Sequence, residues 1–216
     1  MQKRKKIFIC AAGIFFAAVF FVYLLCYSGF FYREQVLLPT DDYEVFPLTD
    51  SALGGFSTSE LRRREQMVIA NINVRSGLAY SYAGVGVNLL SVRNKPASDF
   101  FDFSQYDSIA IDVASERLRT VEIRILNHDP VYSTRGDYLS YRPQVKTVNA
   151  NGITKIALKD FENAKWWLAA QGLDKDDYLA YFERGVLVAV VNGEGALRGI
   201  PDEIRIKSLK LWSGNN

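Results

Sequence analysis

Between Ile7 and Tyr32 the chain carries no charged residue, and directly before that stretch stand Lys3, Arg4, Lys5 and Lys6. At about 1.5 Å per residue such a segment makes a helix of roughly 39 Å. The hydrocarbon core of a bilayer is only about 30 Å thick. Tyr23, Tyr27, Phe30, Phe31 and Tyr32 gather at the far end, where amphipathic rings favour the membrane interface. The basic cluster marks the retained side, so the N-terminus is expected in the cytoplasm and the remainder outside it. A cleaved signal peptide fits less well, because its apolar region runs about 7–15 residues and ends at a small-x-small site. No Ala-x-Ala follows this segment, and Leu25 before Cys26 argues against lipid attachment. The expected organisation is a cytoplasmic tail at 1–6, an anchor helix at 7–32, a polar tether at 33–43 and an exported domain at 44–214. Its expected location is the inner (cytoplasmic) membrane, with a periplasmic or extracellular C-terminal domain.

The charge balance narrows the partners. The net charge is +2 at pH 7, and setting aside the four N-terminal cations leaves −2 for residues 7–216. A nearly neutral exported domain does not suggest a nucleic-acid partner. The run Arg62-Arg63-Arg64 reads as a solvated strand end. Both cysteines, Cys10 and Cys26, lie in the apolar segment, roughly 24 Å apart along a helix axis, so they cannot pair with each other. The exported domain therefore holds together without disulfides, which is feasible because a chain of this size buries about 70% of its unfolded surface.

After Asp42 the sequence becomes a series of short strand-like runs. Val68, Ala70, Ile72 and Val74 alternate with Asn71, Asn73 and Arg75, the period-two pattern of a half-buried strand. Ala79, Ala83, Val85, Val87 and Leu89 share one face of the next run, and Tyr80, Tyr82 and Asn88 share the other. Ile109-Ile111-Val113 and Val121-Ile123-Ile125 repeat the pattern, and further runs cover 139–148, 153–158, 186–192 and 203–212. Turn residues separate them, including Ser76-Gly77, Asn151-Gly152 and Gly199-Ile200-Pro201. Only 160–182 resembles helix. Eight or nine short strands predict an all-β fold, a jelly-roll β-sandwich preceded by one transmembrane α-helix.

No catalytic set can be assembled. The single histidine, His128, has neither a cysteine nor a Gly-x-Ser-x-Gly elbow to activate. Asp174, Asp176 and Asp177 are neighbours around Lys175 and read as a solvated turn, not as two carboxyls flanking a glycosidic bond. Gly84-Val85-Gly86 lies within a strand and Gly193-Glu194-Gly195 joins two, so neither opens a helix as a phosphate loop does. The chain is read as no enzyme. Aromatic residues are the better signal. Tyr80 and Tyr82, about 7 Å apart on one strand face, form a candidate ligand-binding platform with Tyr141 and with Arg142, whose planar fork suits a carboxylate or a diol. Gln144 offers a further hydrogen bond. Trp166 and Trp167 read as plugs at the end of the sandwich.

The run Asp102-Phe103-Ser104-Gln105-Tyr106-Asp107-Ser108-Ile109 resembles a strand entry of galactose-binding-like β-sandwiches. Ile156–Phe161 and Pro201–Ile206 resemble them too. That group includes carbohydrate-binding modules and the complex I intermediate-associated assembly factors. A narrower similarity, to exported input domains of bacterial membrane signalling proteins, rests on Asn127–Ser133, Arg142-Pro143 and Phe161–Leu168. The resemblance implies a non-catalytic ligand-binding or sensing domain for a saccharide or another small molecule. The alternative is an envelope assembly factor with a protein partner. A catalytic output module would have to come from a partner or from further chain. The resemblance also implies a structural Ca²⁺ near the first strand, with Asp50 as its candidate ligand and no other cofactor.

Overall fold

The fold is seen in a computed structural model that describes residues 19–20, 33–92, 99–174, 181–193 and 196–214. The segment expected to cross the membrane lies outside the described residues apart from Val19 and Phe20, which are helical. Among the described residues no helix is long and apolar enough to cross a membrane.

Among the described residues twelve antiparallel strands form two sheets. In sheet A, strands β3 (Thr58–Arg64), β4 (Met67–Asn73), β12 (Asp202–Ser213), β6 (Ser108–Ala114) and β9 (Gly152–Ala157) lie side by side in that order. Strand β1 (Arg33–Leu38) also joins β12. In sheet B the order is β10 (Glu162–Asn163), β8 (Arg142–Asn149), β7 (Thr120–Asn127), β11 (Gly185–Asn192), β5 (Ala83–Val92) and β2 (Tyr43–Thr49). One short helix, α1 (Lys165–Gln171), follows β10 and ends at Gly172, whose φ of 67° closes the left-handed cap.

The alternation seen in the sequence sets which side chains meet between the sheets. Ile109, Ile111 and Val113 of β6 and Ile204, Ile206, Leu209 and Leu211 of β12 face Val121, Ile123 and Ile125 of β7 and Val188 and Val190 of β11. At about 25 cal/mol per Å² of apolar surface removed from water, this shared layer is the main stabilising term. The first half of β12, through Ile206, pairs with β4, whereas Leu209 onward pairs with β1 on the same flank.

That pairing corrects the expected tether. Residues 33–38 are a strand of sheet A, with Leu37 and Leu38 wholly buried. Two more elements differ from the sequence reading. Strand β5 begins at Ala83 and β8 at Arg142, so Tyr80, Tyr82 and Tyr141 lie in turns that lead into strands.

Candidate functional site

The outer face of sheet B carries an apolar floor. Leu187, Ala189 and Val191 alternate with the core-facing residues of β11 and pack with Phe46, Leu48, Tyr82 and Leu126. Strand β11 therefore reads as an unbroken apolar run because both of its faces are covered. The floor depends on Gly86 of β5, which pairs with Phe46 of β2. A Cβ at Gly86 would stand 2.7 Å from the Phe46 ring, so only glycine lets the ring lie across the strand there.

Loops raise walls around this floor. The turn at 50–54, the turn before β5, the long β7–β8 loop and α1 enclose a hollow of about 520 Å³. Its lining includes Leu53, Tyr80, Tyr82, Tyr138, Tyr141 and Trp166. A second, wider hollow of about 900 Å³ adjoins it over β7, β8 and β10. Tyr80, Arg124 and Trp166 line both, so the two are halves of one groove. Tyr80 is 65% exposed and Trp166 is 38% exposed, which leaves two aromatic rings open to solvent between the halves.

Buried polar groups position these walls. Asp50 is wholly buried and its carboxylate accepts hydrogen bonds from Ser57 N–H (3.0 Å), Ser57 Oγ (2.9 Å) and Tyr82 N–H (3.3 Å). The Asp50 N–H donates in return to the Tyr82 carbonyl at 3.1 Å. On the other side Asn192 Oδ1 accepts from Ala83 N–H at 2.7 Å. The Tyr80–Tyr82 turn is thereby held at its C-terminal end, from both sides, where it enters β5. The Tyr82 ring lies under the Arg124 guanidinium, 4.4 Å from its carbon, and Arg124 Nε donates to Glu122 at 2.6 Å. Burial pushes the Tyr82 hydroxyl above its ordinary pKa, against the pull of Arg124. Burial also raises that of Tyr138, with Tyr141 and Glu44 adding to it. Both stay neutral hydroxyl donors at physiological pH.

The structure separates the residues singled out in the sequence. Tyr80 and Tyr82 do line the groove, Tyr80 as an open ring and Tyr82 as half-buried wall. Tyr141 is 2% exposed; its hydroxyl accepts from Gly136 N–H at 2.9 Å. Arg142 does not reach the surface at all. It is 3% exposed, pairs with Asp129 at 3.3 Å and donates from Nε to Asn163 at 2.8 Å. Gln144 is buried beside Asn127. The cause is register: Arg142 and Gln144 share the inward face of β8 with Val148, whereas Pro143 and Val145 share the outward face with Arg124 and Leu126 of β7.

Asp50 does not fit a Ca²⁺ ligand. Its oxygens face N–H and O–H donors, where a cation would need oxygen lone pairs. Among the described residues no group of three His, Cys, Asp or Glu gathers there or elsewhere. The adjacent tryptophans divide their roles, since neighbours on a helix point about 100° apart. Trp167 is buried against Tyr132, edge-on at 5.7 Å, while Trp166 lines the groove. Of the other lining residues, Phe46 comes from edge strand β2 and Leu53, Tyr138 and Leu139 from loops distant in sequence. Tyr138 belongs to the aromatic set visible in the sequence, whereas Phe46, Leu53 and Leu139 gave no local signal.

No protein-family model matches the chain, and no curated protein sequence matches it. Solved structures do share the fold. A family 11 carbohydrate-binding module from a cellulosomal cellulase of Clostridium thermocellum superposes with a TM-score of 0.56 at 11% identity, over 85% of this chain and 95% of that chain. A family 11 module from the same organism, in complex with a β-1,3-1,4-mixed-linked tetrasaccharide, gives 0.53 at 9% identity, over 85% and 96%. These neighbours are β-sandwiches of the kind expected from the strand entries. At such identities the likeness is one of fold.

Proposed function

We propose that this chain is a membrane-tethered, non-catalytic carbohydrate-binding module that holds a glycan in the groove across the outer face of sheet B. The observation that carries the reading is the pair of open rings, Tyr80 and Trp166, set at the junction of the two hollows. A sugar ring has an apolar C–H face that stacks on an aromatic plane, and its hydroxyls take hydrogen bonds from the rim. Glu44, Asn88 and the Tyr82 and Tyr138 hydroxyls supply such partners around the narrower hollow. The neighbour in complex with a tetrasaccharide supports the reading from the side of fold.

Calorimetry of the full chain in detergent against a panel of neutral and acidic oligosaccharides tests this. Tyr80→Ala and Trp166→Ala are each expected to weaken binding by about 2 kcal/mol, roughly 30-fold. Both should melt within about 0.5 kcal/mol of the parent, because neither ring is part of the core. Unchanged affinity in both variants, or no glycan bound from the whole panel, would overturn the reading.

The tether rests on the uncharged segment 7–32 behind Lys3–Lys6. A reporter fused after Asn216 should be active only outside the cytoplasm, and the full-length chain should keep its N-terminus. A mature protein beginning near residue 30 would remove the anchor. One feature favours a protein partner as a second reading: Ile153, on edge strand β9, is 78% exposed, and exposed strand edges invite pairing.

A further inference from the structure

We propose that the groove takes an anionic glycan, with a charged sugar unit seated in the wider hollow and a neutral face stacked in the narrower one. This rests on the carbohydrate reading above and adds the ligand's chemical class. The two halves differ in chemistry. The narrower hollow is walled mostly by apolar and aromatic side chains, with Glu44 and the shared Arg124 as the only charged residues among the described ones. Among the described residues the wider hollow is lined by the cations Arg124, Lys165 and Arg198, against the carboxylates Glu122 and Glu162, whereas Lys146 at its rim belongs by register to the inward face of β8. Glu122 is already compensated, since it accepts from Arg124 Nε at 2.6 Å with both side chains largely buried. Among the described residues no ion pair engages Lys165 or Arg198.

This excess stands out against the rest of the chain. Residues 7–216 carry a net −2, yet among the described residues of this concavity three cations face two carboxylates, one of them already paired with Arg124. A concave site lined by one sign of charge focuses its field and raises the local concentration of the opposite ion. The two uncommitted cations come from separate segments, the first turn of α1 and the turn before β12. Like charges brought together by the fold repel one another, and an anion seated among them relieves that repulsion. The open rings of Tyr80 and Trp166 border the same space, so the anion is expected on a group that also offers a stacking face. A sugar carrying a carboxylate or a sulfate ester combines the two.

The test compares four probes on the detergent-solubilised full chain by calorimetry. They are a short oligogalacturonate, its methyl ester, a sulfated galactan oligosaccharide and a neutral mixed-linked glucan tetrasaccharide. At least one anionic probe is expected to bind about tenfold or more tighter than the neutral two, as charge-assisted hydrogen bonds allow. That margin should shrink as salt is raised. The double variant Lys165→Gln/Arg198→Gln should lose the margin while keeping its melting temperature, and Tyr80→Ala should weaken every probe that binds. Preference for the oligogalacturonate identifies a uronate, and preference for the sulfated galactan identifies a sulfate ester. Equal binding of acid and methyl ester, with the sulfated probe no tighter and the double variant unchanged, overturns the anionic class while leaving a neutral-glycan module intact. Failure of all four probes overturns both.

Discussion

Ile111→Asp is expected to leave the β-sandwich domain unfolded, whereas Asp112→Asn is expected to shift its stability by less than about 0.5 kcal/mol. The two positions are consecutive on β6, one strand in from the edge of sheet A, paired with Leu209 and Ser208 of β12 and with Thr154 and Ile153 of β9. Ile111 has no exposed surface and belongs to the main core, while Asp112 is partly exposed on the opposite face. A carboxylate at position 111 would sit among apolar side chains with no donor in reach. An isolated carboxylate there would neutralise by taking up a proton, and the buried carboxyl without a hydrogen-bond partner still costs several kcal/mol. Domains of this size have only about 5–15 kcal/mol of net stability. The loss of the isoleucine's own packing adds about 2–5 kcal/mol. Far-UV circular dichroism and protease resistance of the full chain in detergent would report both variants. Matching behaviour of the two would mean that the face assignment of β6 is inverted.

That pair of substitutions can be designed from sequence alone because β6 and β7 each bury one face and wet the other. Where this condition fails, the sequence is less informative. The apolar run Val186–Val191 marks a strand but hides its second face, which turns out to floor the groove. Strand β1 reads as a polar tether because only Leu37 and Leu38 reach the core; its partner is the far half of β12, more than 170 residues along the chain. Strand β3, Thr58–Arg64, is an edge strand whose largest apolar side chain, Leu61, is only partly buried. It has almost no alternation to read. The site shows the same division. Tyr80 and Tyr82 are visible as a spaced aromatic pair. Their partners Phe46, Leu53, Tyr138 and Trp166 are assembled by long-range contacts that no local pattern encodes. Asp50 and Arg142 stand out by residue type, yet the fold uses both inside, where a charged group can hold several backbone segments at once.

Arg142→Met is expected to lower stability by about 3–5 kcal/mol, the usual result of stripping one partner from a buried ion pair. Both members are nearly inaccessible, Arg142 at 3% and Asp129 at 3%. Removing the guanidinium leaves the Asp129 carboxylate in the interior, able to keep only its hydrogen bonds from Val131 N–H at 2.8 Å and Tyr132 N–H at 3.2 Å. It also strips the cation from above the Trp167 ring, 5.8 Å from its centroid, and the donor from Asn163. Asp129→Asn should cost a comparable amount for the mirrored reason, a guanidinium without its counter-charge. The double variant should recover part of the sum, because the second change removes a group that the first had orphaned. Urea unfolding of the four proteins measures this coupling, and raising the salt should change it little, since a buried pair is poorly screened. The same pair anchors the start and end of the loop from Asp129 to Tyr141, which brings Tyr138 and Leu139 to the groove wall. Loss of the pair should therefore weaken glycan binding even in the fraction that stays folded. An Arg142→Met protein as stable as the parent would place the guanidinium in solvent and return Arg142 to the recognition surface that its sequence position first suggested.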